Sequence, residues 1–111
     1  MLQPIRWCDT HLELLDQRIL PLRTEYVVVR NTQQCVQAIT DMVVRGAPAI
    51  GIAAAYGVVL AATTGENMAE SFSKLAHSRP TAVNLHWALA RMQGLETSDA
   101  TRLLQEAVAI H

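Results

Sequence analysis

Between Met42 and Gly57 the chain reads MVVRGAPAIGIAAAYG: one arginine, three glycines, a proline and a run of small apolar residues. No other stretch restricts the fold as tightly. Gly51, Ala53, Ala54, Ala55 and Gly57 carry little side chain, so a helix built from them gains dispersion energy only by close approach to its neighbours. Each glycine also costs about 1 kcal/mol of helix propensity relative to alanine, which tertiary contacts must offset. Tight packing is the first meaning of this stretch, and contact with a ligand the second.

The turn Arg45-Gly46-Ala47-Pro48 has a chemistry of its own. Proline is accepted in the first turn of a helix, where its missing N–H is no loss. The free amides and dipole of such a helix start favour an anion, and arginine offers a two-pronged, charge-assisted contact. The same residues also suit a plainer role, with Gly46 closing the preceding helix and Arg45 in solvent. Spacing leaves both readings open, since the full phosphate-loop pattern is absent. Ser78-Arg79-Pro80-Thr81-Ala82-Val83-Asn84-Leu85 repeats the design: an arginine in a constrained loop, a proline in the first turn, then a helix. Two such turns could converge on one anionic group.

Around these turns the pattern predicts an α+β fold: a small antiparallel three-stranded sheet over residues 1–30, then about five helices over 31–111. IRW, HLELLD and EYVVVRN read as strands. Asn31 or Thr32 caps a helix through Val36, Ile39, Met42 and Val43, ended by Gly46. A second helix, with Pro48 in its first turn, carries Ile50 to Ala62 and finishes near Gly65. A third covers Glu66 to Ala76, facing inward through Phe72, Leu75 and Ala76. Thr81 caps a fourth, lined by Val83, Leu85, Leu89 and Met92 and closed by Gly94. Thr97 or Ser98 caps a fifth, with Leu103, Leu104, Ala107 and Val108 inside. The chain stops at His111 in apparent helix without a terminating signal, which predicts a piece of a longer protein.

Nine Lys plus Arg against ten Asp plus Glu give a net charge of −1, without the clustered positive excess that nucleic-acid binding needs. Lys74 is the only lysine among the basic residues. The most apolar stretch is too short and too rich in alanine and glycine for a membrane span. No secretory signal pattern opens the chain, and a cytoplasmic protein is expected. Cys8 and Cys35 have neither metal-ligand spacing nor a local base, and His11, His77 and His111 are scattered. No metal site, cofactor or catalytic residue is therefore expected. Asp41, one turn before Arg45, reads as its ion-pair partner or as solvated. Trp87 suits a core or interdomain surface, and His86 lies in the same helix. Tyr56 and Asn84 could face one cleft if their helices pack together.

IRW, LELLDQRILP, AITDMVVRGAPAIGIAAAYGVVLAA and RPTAVNLHWALARM closely resemble, in order, motifs of the methylthioribose-1-phosphate isomerase family. That family is more distantly related to regulatory subunits of a translation initiation factor exchange complex and to ribose-1,5-bisphosphate isomerase. The resemblance covers nearly the whole chain and matches the family's N-terminal part. It implies an aldose–ketose isomerisation, from 5-methylthioribose 1-phosphate to 5-methylthioribulose 1-phosphate in methionine salvage, in a homodimer. It also implies that Arg45, Gly46, Ala47 and Arg79 bind the sugar phosphate. The family's acid–base cysteine and aspartate belong to a C-terminal Rossmann-like domain beyond these residues; Cys8, Cys35 and Asp41 do not match them. The stretch from Gly65 to Arg79 is short for the family. The isolated chain is thus expected to be inactive. A regulatory subunit of the same broad family is the alternative, and an autonomous module docking through Ile50, Ile52 and Tyr56 is a further one.

Overall fold

The computed structural model describes residues 3–111 as three strands followed by five helices. Strands β1 (Ile5–Trp7), β2 (Leu12–Leu15) and β3 (Tyr26–Val29) form one antiparallel sheet in the order β1-β2-β3. Leu12 stands opposite Trp7 and Val29, and Leu14 opposite Ile5 and Val27. Side chains alternate across a strand, so Ile5, Leu12, Leu14 and Val29 meet on one buried face, while Val28 points outward. The α+β architecture is the one the sequence predicts.

Helices α1 (Thr32–Thr40), α2 (Ala47–Thr63), α3 (Met68–Ser78), α4 (Val83–Gln93) and α5 (Ala100–Ile110) follow. The small-residue helix α2 is the centre of the fold, touching all four other helices and β1. From Ile50 to Ala61 every residue of α2 except Ile52 is buried. A helix apolar on all sides has to be surrounded. Its glycines mark the tightest crossings. A Cβ at Gly57 would lie 2.8 Å from Cys35 Sγ and 3.1 Å from Leu75 Cδ2, which lets α1 and α3 close on α2. Gly51 does the same for α4. Among the described residues no helix is long and apolar enough to cross a membrane.

Several boundaries differ from expectation. Asn31 caps α1 as predicted, accepting from Gln34 N, but α1 ends at Thr40, before Met42 and Val43. Met42 takes a left-handed conformation, φ 65°. Its N–H donates to the Ile39 carbonyl and that of Val43 to the Ala38 carbonyl, a closing pattern usually built on glycine. Gly46 therefore does not end α1; it precedes α2 as its N-cap residue. At the far end of α2 the same pattern recurs with Gly65, φ 72°. Helix α3 is capped by Asn67 and runs on to Ser78. Asp99, rather than Thr97 or Ser98, caps α5.

Ala82, not Thr81, is the N-cap residue of α4, and no side chain caps it. Val83 and Val108 are exposed. Each lies off the stripe formed by Leu85, Ala88, Leu89 and Met92 in one helix, or Leu103 and Ala107 in the other.

Candidate functional site

The turn ahead of α2 is held by main-chain bonds. Besides those at Met42 and Val43, Gln17 N donates to the Val43 carbonyl at 3.0 Å, tying the loop after β2 to this turn. Gly46 has φ 93° and ψ 135°, a conformation that side chains rarely adopt. A Cβ there would meet nothing within 4 Å. Glycine is required by backbone geometry, not by crowding within the chain. The α2 start has no side-chain cap, and Pro48 has no N–H. The N–H groups of Ala47 and Ala49 are left without intrahelical acceptors. Arg45, Gly46, Ala47 and Pro48 are all exposed.

Arg79 follows the last residue of α3 with φ −145° and ψ 81°, outside the helical region that a following proline disfavours. Its carbonyl accepts from Ala82 N at 3.0 Å, so residues 79–82 form a tight turn, with Pro80 ahead of α4 and not within its first turn. His86 Nε2 lies 2.7 Å from the Pro80 carbonyl; as the donor it braces that turn. Arg79 Nη1 is buried and has no hydrogen-bond partner among the described residues. Such an atom normally finds an acceptor.

The two helix starts lie side by side. Gly51, in the second turn of α2, abuts the main chain of Asn84, in the first turn of α4. Pro48, Gly51, Ile52, Asn84, Trp87 and Ile110 line one cleft of about 330 Å³, the lower end of the range for small-molecule sites. Helices α1, α3 and α5 have side-chain caps; α2 and α4, which meet at this cleft, do not. Arg45, Gly46, Ala47 and Arg79 are not among the residues lining the cleft. The structure thus brings the two helices together at their starts, with neither arginine lining the cleft between them.

Of the other residues, Asn84 lines the cleft but Tyr56 does not. Tyr56 is buried, stacked on Trp7 at 5.4 Å between ring centroids, with its hydroxyl 2.8 Å from His111 Nδ1. Burial pushes its phenol pKa up. Tyr56 and Ile50 are interior to this chain and unavailable to a docking partner. Trp87 is exposed at the cleft with the Arg91 guanidinium 5.5 Å from its ring centre, so it is not core. Asp41 does not pair with Arg45; its carboxylate accepts from Gln37 Nε2 at 2.8 Å. Because α1 ends at Thr40, Asp41 and Arg45 share no helical face. Cys35 is fully buried and its thiol is pushed up to about 12 by desolvation, which makes it an inert packing residue. His11, by contrast, does have a carboxylate partner: Nε2 lies 3.1 Å from Glu13 Oε2, with Cys8 adjacent. Sequence spacing missed this group, since only the hairpin register assembles it.

A sequence profile of the Initiation factor 2 subunit family matches residues 43–109, from within the α1–α2 link nearly to the end of α5. The chain belongs to that family. Within it, the chain is 51% identical over 119 aligned positions to a methylthioribose-1-phosphate isomerase of Marinobacter nauticus, covering 96% of this chain and 34% of that protein. It is 57% identical over 96 positions to the enzyme of the same name from Synechococcus sp. strain CC9605, covering 86% of this chain and 28% of that one. The crystal structure of 5-methylthioribose 1-phosphate isomerase from Pyrococcus horikoshii OT3 superposes with a TM-score of 0.91 at 31% identity, over 99% of this chain and 36% of that one. The translation initiation factor eIF-2B subunit delta from A. fulgidus superposes at 0.77 with 35% identity, over 99% and 35%. The resemblance expected from the motifs is borne out. The chain spans about a third of the length of these relatives.

Proposed function

We propose that this chain is the N-terminal, substrate-binding part of an aldose–ketose isomerase that converts 5-methylthioribose 1-phosphate to 5-methylthioribulose 1-phosphate in methionine salvage. The observation that carries the reading is identity near 50% to proteins of that name across nearly the whole chain. Arg45, Gly46, Ala47 and Arg79 serve as its phosphate and sugar contacts. In support, α2 begins with uncapped amides beside the exposed Arg45, and Arg79 carries an unpartnered buried nitrogen.

The chemistry explains the need for such groups. A phosphate on C1 keeps the sugar in its ring form, so the ring opens before hydrogen moves from C2 to C1. The phosphate stays doubly charged beside that transfer. Fixed amides and guanidinium groups stabilise the charge without having to reorganise. The acid and base belong to a Rossmann-like C-terminal domain of the complete, cytoplasmic, homodimeric protein, which makes the 111-residue chain inactive alone.

The test is turnover of 5-methylthioribose 1-phosphate by the full-length parent, its Arg45→Ala and Arg79→Ala variants, and this chain. Loss of a charge-assisted contact of about 1.5–3 kcal/mol predicts a kcat/KM lowered roughly 10- to 100-fold in each variant. Unchanged kinetics in both variants overturn the residue assignment, and turnover by the short chain overturns the division of labour. The likeness to eIF-2B subunit delta favours a second reading, a regulatory subunit without catalysis. A full-length parent that binds the sugar phosphate but never turns it over supports that alternative.

A further inference from the structure

The outer face of the β1–β2 hairpin gathers three groups that the sugar-phosphate chemistry does not use. Cys8 Sγ, a His11 ring nitrogen and a Glu13 carboxylate oxygen lie within 4.8 Å of one another. Strand pairing explains how. Trp7 stands opposite Leu12 and Arg6 opposite Glu13, and Cys8 N donates to the His11 carbonyl at 2.9 Å at the mouth of the turn. Residues two apart on a strand share a face, so Arg6 and Cys8 come from one side of the hairpin and His11 and Glu13 from the other. Asp9, φ 64°, and a 2.7 Å bond from Thr10 N to the Cys8 carbonyl close the turn.

We propose that this hairpin binds one zinc-class divalent cation through Cys8 Sγ, His11 Nε2 and Glu13 Oε2, with water as the fourth ligand. His11 Nε2 and Glu13 Oε2 are 3.1 Å apart. Two ligands about 2.0–2.1 Å from a tetrahedral zinc stand about 3.3 Å from each other, so the pair needs almost no movement. The outer contacts have the form that orients metal ligands. Thr10 Oγ1 lies 3.3 Å from His11 Nδ1; when Nδ1 carries the hydrogen, Nε2 presents its lone pair. Arg6 holds the other carboxylate oxygen, Glu13 Oε1, through Nη2 at 2.6 Å and Nε at 3.1 Å, fixing which oxygen faces the cation. Arg6 is itself fixed over the Tyr26 ring, 3.6 Å from its centre.

A mixed sulfur, nitrogen and oxygen set selects zinc over magnesium or calcium, which prefer oxygen alone. On binding, the Cys8 S–H bond breaks, its proton leaves to solvent, and the sulfur lone pair forms the Zn–S bond. Thiolate and carboxylate together balance the 2+ charge, and no electron is transferred.

The test is Co²⁺ and Zn²⁺ titration of the full 111-residue chain. One Co²⁺ per chain with a thiolate-to-cobalt charge-transfer absorption, displaced by Zn²⁺, is the expected result. Cys8→Ser abolishes that absorption, and Thr10→Val weakens Zn²⁺ binding about tenfold. Protection of Cys8 from alkylation by added Zn²⁺ supplies a readout on the unmodified chain, because the only other thiol, Cys35, is buried. Absence of the thiolate absorption, Zn²⁺ binding that Cys8→Ser leaves unchanged, or Cys8 alkylated equally fast with and without Zn²⁺ overturns the proposal.

Discussion

Gly51 of α2 lies directly against the main-chain carbonyl of Asn84 in α4: a Cβ at position 51 would come within 2.9 Å of that oxygen and 3.5 Å of Ala88 Cβ. Backbone cannot move aside as a side chain can. Gly51→Ala gains about 1 kcal/mol of helix propensity but overpacks the crossing, at about 1–3 kcal/mol. A net loss of stability is expected, together with displaced helix starts at the cleft. Urea unfolding measures the first, and amide chemical shifts at Asn84 and Leu85 the second.

Gly57 makes the matching contact on the other side of α2, but with side chains: Cys35 Sγ and Leu75 Cδ2. Gly57→Ala should destabilise by about 1–3 kcal/mol. Cys35→Ala should then relieve most of that loss, although it creates a small cavity in the native chain. A double-mutant cycle tests this, and additive single effects would contradict the crossing described here.

At Gly46 no neighbour limits a side chain, and the cost is conformational. Gly46→Ala, held at φ 93°, should lose about 1–3 kcal/mol without any repacking of the core. Thermal unfolding should show the loss while the near-ultraviolet signal of Trp7 and Tyr56 stays unchanged.

Acid should weaken the fold through paired carboxylates. Asp16 accepts from Arg18 Nε and Nη2, each at 2.9 Å, and from Arg18 N; these bonds hold its pKa below the usual range. Glu106, bonded chiefly to Arg91 and also to Arg102, is lowered likewise. A depressed folded pKa contributes stability that is present above the unfolded pKa and lost as pH falls through the folded one. Urea midpoints should therefore drop from about pH 5 downward. Asp16→Asn should cost about 1 kcal/mol at neutral pH and flatten that drop.

Much of this was legible in the sequence because the signals were local. Rough alternation in HLELLD and the β-branched, aromatic run EYVVVRN mark strands, Asn31 marks the start of α1, and Gly65 and Gly94 mark the ends of α2 and α4. Met42 was the costly miss. A left-handed methionine carries no sequence signature, so the pattern runs α1 through Met42 to Gly46, whereas the helix ends at Thr40. Thr81, Thr97 and Ser98 are cap-type residues by side chain, but the path of the loop puts Ala82 and Asp99 at the N-cap positions. The two arginine turns were found by their residue types. The contact of the two helices at Gly51 and Asn84 depends on the small residues of α2, whose packing role is legible in the sequence but whose partner is not. The group at Cys8, His11 and Glu13 was invisible because strand register, not spacing, assembles it.

The link from α1 to α2 is closed by amide-to-carbonyl bonds at Met42, Val43 and Gln17, and the Arg45 side chain enters no ion pair among the described residues. If Arg45 recognises an anion as proposed, scaffold and recognition are uncoupled at this corner. On that proposal, evolutionary drift at position 45 would alter what the corner attracts while leaving heat tolerance almost untouched, so other anion preferences could be sampled there without first acquiring a compensating change elsewhere.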